Sequence, residues 1–331
     1  MVVLHPFSPP SPTQPPEGLV ADLVTPLTRA GGLDGEGLRR LVERVTPAAA
    51  GILVGSPGVG EALDLAPATR RDLISATLAA VAGRGPVFLG VTGNSPEETR
   101  QLALHLSQEC RSRRYPGPVF LADLPLWYHS NRGLPQFYRL LLEEVSLPLV
   151  LLNLPGVIAR RAPVFKRRNL RTHVFKKLTQ LDGLVGLIYQ GEMKRFLNYH
   201  HAAASRPGFA FYEGDEVNFL TRPGAWGVLS PGGQLLPGPW ARVTRACLHP
   251  EEAADDHETR LRLLSLSQGL LELARLYRPR PAAFIKAALT AQGVIDFPAT
   301  ATPGPPDLSG PRDRLLALMA DLAPSGGGSY G

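Results

Sequence analysis

The groups in this sequence that could do chemistry are unevenly supplied. Amine nucleophiles are scarce: of the 35 basic residues only five are lysines, Lys166, Lys176, Lys177, Lys194 and Lys286. Arginine cannot replace them, because a guanidinium stays protonated. Hydroxyls and carboxylates gather in a few short stretches. "GSPGVGEAL" offers Gly55, Ser56 and Glu61 after an apolar run, and "PLWYH" offers Trp127 and Tyr128. "FYEGDE" brings Tyr212, Glu213, Asp215 and Glu216 together. Side chains of these types bind carboxylates and move protons. Acidic residues ahead of a helical pattern also cap helices, which is the plainer use of "EGDE".

Other chemistries lack their residues. His200 and His201 are neighbours, and adjacent helical positions point about 100° apart, a poor geometry for sharing a metal. Cys110 and Cys247 are the only cysteines and form no CxxC motif, so neither a disulfide framework nor a cysteine zinc site is expected. "GVGEAL" lacks the third glycine of a dinucleotide fingerprint and the lysine of a phosphate loop. No metal and no cofactor is implied. "ARRAPVFKRRNLRTHVFKK" holds eight Lys and Arg between Arg160 and Lys177. Its functional reading is an anion-binding rim formed by Arg160, Arg161, Lys166, Arg167 and Arg168; its plainer reading is a solvated face or a subunit contact. Aromatic residues are sparse there, which argues against single-stranded nucleic acid as a partner.

The elements that would position these groups can be read from apolar patterning. A hydrophobic fraction of 44% over 331 residues is ample for a large core. Apolar runs begin at 18, 51, 85, 117, 147, 183, 208 and 225, and most are followed by a helical pattern. Continuous apolar strands fit a parallel sheet covered on both faces. Eight such units predict a (β/α)8 barrel over 18–238, with an open doubly wound sheet as the alternative. Only helical patterns follow, giving a helical extension over 239–322. A proline-rich arm (1–17) precedes the barrel and a Gly- and Ser-rich tail (323–331) ends the chain. Asp34 is placed to cap the first helix. Ser95 and Glu98 have the spacing of a capping box, with Pro96 at the first helical position. No apolar run reaches the roughly 18 residues of a membrane helix, and the N-terminus is too rich in proline for a secretory apolar core. A cytoplasmic location is the expectation. In a barrel, chemistry sits at the carboxyl ends of the strands.

In order and spacing these segments resemble the dihydrodipicolinate synthase and N-acetylneuraminate lyase family. The resemblance is carried by "LVTPL", "GSPGVGEALDLAPATRRDL", "GVTGNSPEET", "LPLVLLNLPG", "GLVGLIYQ", "EGDE", "PGAWGVLSPGGQLLP" and "PAAFIKAALTAQG". It runs from about residue 18 to 295. It implies pyruvate-dependent carbon–carbon lyase chemistry through a lysine Schiff base, a tyrosine proton relay helped by a threonine, and a homo-oligomer, dimer or tetramer. This chain departs from the pattern at each catalytic place. The lysine position holds Ile188, the tyrosine position holds Leu152 in "LNLP", and the threonine position holds Pro57. Pro57 has no hydroxyl and no N–H. Of the lysines, only Lys194 follows the sixth strand closely, and about one and a half turns into its helix it would face the barrel's outside. The resemblance therefore implies a homologue that has lost covalent chemistry and binds a small keto or sugar acid. Thr25, Gly55, Ser56, Trp127, Tyr128, Tyr212 and Glu213 are its candidate ligand contacts. An aldolase of altered mechanism and a polyanion-binding or assembly role for 160–177 remain as alternatives.

Overall fold

Short β-branched and leucine-rich runs become parallel strands here because a helix covers each from outside and the other strands cover it from inside. The strands are β1 (Gly18–Asp22), β2 (Gly51–Val54), β3 (Val87–Gly90), β4 (Val119–Asp123), β5 (Leu149–Asn153), β6 (Leu184–Tyr189), β7 (Ala210–Glu213) and β8 (Gly227–Ser230). Their helices are α1 (Gly35–Val45), α2 (Pro67–Val81), α3 (Pro96–Ser112), α4 (Leu134–Glu144), α5 (Pro155–Arg161), α6 (Thr172–Leu178), α7 (Met193–Ala202) and α8 (Glu216–Thr221). After β8 come α9 (Pro237–Leu248), α10 (His257–Tyr277), α11 (Pro281–Ala291) and α12 (Ser309–Leu322). The computed structural model describes residues 14–161, 167–221, 225–253, 256–302 and 308–323. The arm up to residue 13 and the end of the tail lie outside them.

The sheet closes. β1 pairs with β2 on one side and with β8 on the other, Val20 opposite Leu229, so the order β1 to β8 is a barrel and not an open sheet. Side-chain parity follows from the register and one cross-barrel contact. Phe88 stacks on Phe120 of the next strand, and its ring also meets Tyr212 of β7 at 6.2 Å. β3 and β7 are not neighbours, so both rings point inward. Register then places Leu152 and Ile188 beside Tyr212 on the inner face. Tyr189, one residue on, faces outward and stacks on Phe196 of α7. On β1 the same parity turns Val20 and Asp22 inward.

Local signals hold the helices where the sequence predicts them. The Asp34 carboxylate accepts from the Gly37 N–H at 2.8 Å to start α1. Ser95 accepts from the Glu98 N–H at 3.1 Å, but the returning Glu98 carboxylate takes the Asn94 N–H, one residue earlier than a standard capping box. Beyond the barrel, α10 packs against α8, α9 and α12, and this extension reaches the strand ends that form the mouth.

Candidate active site at the barrel mouth

Asp22 is the last residue of β1 and its inward parity aims its carboxyl at the barrel mouth. There it borders a cavity of about 170 Å³ with Val59, Gln190, Glu216, Leu229 and Tyr277 among its walls. Asp22 is 4% exposed, and its Oδ1 has no hydrogen-bond partner among the described residues. Gln234 fixes the strand end around it: its amide donates to the Asp22 carbonyl at 2.6 Å and accepts from the Val24 N–H at 3.0 Å. Burial raises the Asp22 carboxyl from 3.8 to about 7; a Ser56 hydrogen bond pulls it down, and the nearby Glu216 charge adds to the rise.

Glu216, the first residue of α8, is the second buried carboxyl of this cavity. It accepts from the Ser230 and Tyr277 hydroxyls and from the Gly232 N–H at 2.7 Å. Burial outweighs those three donors and holds it at about 7 as well. The two carboxyls therefore differ in availability: Glu216 is saturated by protein donors, whereas Asp22 keeps one oxygen free. Asp215 serves structure, accepting the Val217 and Asn218 N–H groups at the start of α8 and pairing with Arg278 at 2.6 Å. A side chain like Asp22 can donate a hydrogen bond when protonated and accept one when ionised, near neutral pH.

The places to which the resemblance assigns a lysine, a tyrosine and a threonine are apolar and closed. Ile188 is 0% and Leu152 1% exposed, side by side on the inner face. Pro57 is buried, and its carbonyl accepts from Arg160 at 3.1 Å. Among the described residues, Lys176 and Lys177 are exposed on α6. Lys194 is the second residue of α7, not a turn and a half into it, and is exposed. Among the described lysines Lys286 alone is fully buried, and it is bound: its ammonium pairs with Glu61 and donates to the Ala299 carbonyl at 2.7 Å. Lys166 and the side chain of Arg161 lie outside the described residues.

Few of the expected ligand contacts reach the cavity. Ser56 does so through Asp22, while accepting from the Gly60 N–H at 2.9 Å. Thr25 is sealed, its hydroxyl donating to the Gly60 carbonyl at 2.6 Å. Gly55, at φ +71°, takes a left-handed turn, and a Cβ at the neighbouring Gly90 would lie 1.8 Å from the Gly55 carbonyl oxygen. Four further expected contacts, Tyr212, Tyr128, Trp127 and Glu213, do not border the cavity. Tyr212 points down the barrel, its hydroxyl donating to the Pro16 carbonyl at the opposite end from the mouth, so it plugs the interior. Tyr128 turns outward: its hydroxyl and that of Tyr138 each donate to Asp123 Oδ2 at 2.6 Å, and Thr92 donates to Oδ1 at 2.8 Å. Trp127 donates to Asn94 Oδ1 at 3.1 Å, beside the turn after β3. Glu213, outward by parity next to Tyr212, accepts from the Asp215 N–H at 3.1 Å and does not border the cavity. The basic rim is divided too. Arg160 bends to Pro57, whereas Arg167 lines a separate groove between the start of α4 and α6; Arg168 has a partner of its own. His200 stacks on Phe211 at 3.8 Å.

Asp22 escaped sequence reasoning, whereas Glu216 was read there as one acid of the "EGDE" stretch, with capping as its plainer use. Asp22 does carry a signal, a lone charge at an inward position of an apolar strand, "GLVADLVTP".

A closed parallel barrel whose polar cavity sits at the carboxyl ends of its strands, roofed by a helical extension, defines a (β/α)8 protein with a mouth-type site. The chain belongs to the dihydrodipicolinate synthetase family, whose model matches residues 15–314. It is 28% identical over 310 residues to a 4-hydroxy-tetrahydrodipicolinate synthase of Aromatoleum aromaticum, covering 91% of this chain and 97% of the relative. Its fold is similar to that of a prophage protein of the dihydrodipicolinic acid synthase family from E. coli K12 in complex with pyruvate (TM-score 0.76, 20% identity, covering 92% of this chain and 98% of the other). It is similar also to a Ruminococcus gnavus sialic acid aldolase catalytic lysine mutant (TM-score 0.77, 15% identity, covering 92% and 96%).

Proposed function

We propose that this chain is a member of its family that works without a Schiff base and holds a small keto or sugar acid non-covalently at the barrel mouth. One observation carries the reading: hydrocarbon, Ile188 beside Leu152, stands where the family resemblance puts the amine, and both side chains are buried. Covalent attack on a carbonyl needs a neutral amine. The one buried lysine among the described residues is held by Glu61. In this reading Asp22 directs its free oxygen at a hydroxyl or carbonyl of the ligand. The titration near 7 lets it act as a neutral donor, so an acidic cavity does not simply repel an acid. The test is incubation with pyruvate and borohydride followed by intact-mass measurement. No adduct is expected; a reduced pyruvyl adduct on any lysine overturns the reading.

The free Oδ1 of Asp22 also favours a second reading, a carbon–carbon lyase that passes through a non-covalent enol with Asp22 as the acid–base group. A screen of 2-keto acids for cleavage separates the two. Turnover that disappears in Asp22→Asn supports the lyase, and turnover indifferent to that change removes it. Self-association and a cytoplasmic location belong to the same proposal. Among the described residues no helix is long and apolar enough to cross a membrane.

A further inference from the structure

We propose that the groove between the start of α4 and α6 is a second ligand site, built for a small multivalent anion and independent of the mouth cavity. The groove has a volume of about 650 Å³, within the range of small-molecule pockets. Arg132 and His129 stand on one wall, Arg167, Arg171, His173 and Lys177 on the other, and among the described residues no carboxylate lines it. Among those residues, too, Arg132, Arg167, Arg171 and Lys177 form no ion pair. Uncompensated like charges that converge on a concavity repel one another, and a bound anion removes that cost.

The walls are tied together before any ligand arrives. Buried Asn131 accepts from the Arg171 N–H at 2.7 Å and donates to the Asn169 carbonyl at 3.3 Å. Asn169 in turn accepts from Asn153, the last residue of β5, at 3.1 Å. The segment carrying Arg171 is thus anchored to the barrel itself. On the other wall, His129 Nδ1–H donates to the Ser130 carbonyl at 2.6 Å, which orients that ring. Guanidinium groups on such a frame suit bidentate contacts to phosphate or carboxylate oxygens. The site is a short concavity and its described lining holds no Phe, Tyr or Trp, so a small molecule fits it better than a nucleic-acid strand.

The experiment is calorimetric titration of the full chain with inorganic tripolyphosphate and, in parallel, with citrate, at low and at high ionic strength. Saturable binding that weakens with salt is expected. The stronger of the two probes identifies phosphate or carboxylate as the preferred group. Arg132→Gln with Arg171→Gln should weaken binding by about tenfold or more, the scale of losing two charge-assisted contacts. Lys177→Gln, a single exposed change on α6, should weaken it in the same direction. Arg260→Gln with Arg314→Gln, exposed arginines elsewhere, should leave it unchanged. The proposal is overturned if neither probe saturates at low salt. It is equally overturned if the groove variants bind like the parent, or if the control pair loses as much as the groove pair.

Discussion

Replacing Asp22 by asparagine removes a titrating proton from the barrel interior and leaves the shape nearly intact. The Asp22 carboxyl is raised from 3.8 to about 7 by burial, with Glu216 adding to it and Ser56 opposing it. A carboxyl with its folded-state value raised binds its proton more tightly when folded than when unfolded. Its contribution is fully present below pH 3.8 and is lost as pH rises through about 7. The whole displacement corresponds to about 4 kcal/mol, at about 1.4 kcal/mol per pH unit. Over a practical window, pH 5 to 8.5, the part lost is about 2–3 kcal/mol, because at about pH 5 some has already gone. The replacing carboxamide does not titrate. The stability of Asp22→Asn relative to the parent should therefore rise by about 2–3 kcal/mol from pH 5 to pH 8.5, whatever its offset at either end. Urea unfolding curves for both proteins at the two pH values, analysed with each protein's own m-value, measure this difference. A difference that stays constant across that window would refute the reasoning. It would mean that Asp22 remains ionised in the folded protein and that its free oxygen is hydrated.

Three further perturbations test the frame around the site. Lys286→Met strands the Glu61 carboxylate beside the Ala301 N–H and should cost about 3–5 kcal/mol. Adding Glu61→Gln should recover part of that loss, and thermal unfolding of the two single variants and the double variant closes the cycle. Tyr138→Phe deletes one of three hydroxyl donors to the buried Asp123 and should cost about 1.5–3 kcal/mol by urea unfolding. A loss near zero would show that Thr92 and Tyr128 suffice. Sedimentation at micromolar concentration should show a dimer or tetramer, and a monomer at every concentration would remove self-association from the proposal.

The fold was legible because its signal is repeated. Eight apolar runs, most with a helical partner, leave few arrangements, and the choice between open sheet and barrel fell to one pairing, β1 with β8. Caps were legible for the same local reason: Asp34 and Ser95 act within three residues of themselves. The Glu98 carboxylate shows where that legibility ends. Its reach to Asn94 depends on the turn after β3 and on Arg70, which pairs with it at 2.8 Å from the neighbouring helix.

The site was legible only as far as parity could be guessed from a motif. Tyr212 and Asp22 are both inward residues, yet the tyrosine's long side chain runs to the arm's Pro16 and the aspartate's short one stops at the mouth. Tyr128 lies just past β4, whose Asp123 points outward, and that carboxylate collects its hydroxyl before any ligand could. Residue type alone ranks the two tyrosines above the aspartate as ligand contacts. Direction and prior commitment reverse the order. The same logic separates the lysines: Lys286 has the burial that would lower an amine's proton affinity, but Glu61 opposes that effect and occupies the nitrogen. In the proposed reading, recognition at this mouth therefore rests on which polar atom is left over once the fold has satisfied the others. Among the fully buried side-chain atoms of the described residues that border the cavity, that atom is Asp22 Oδ1.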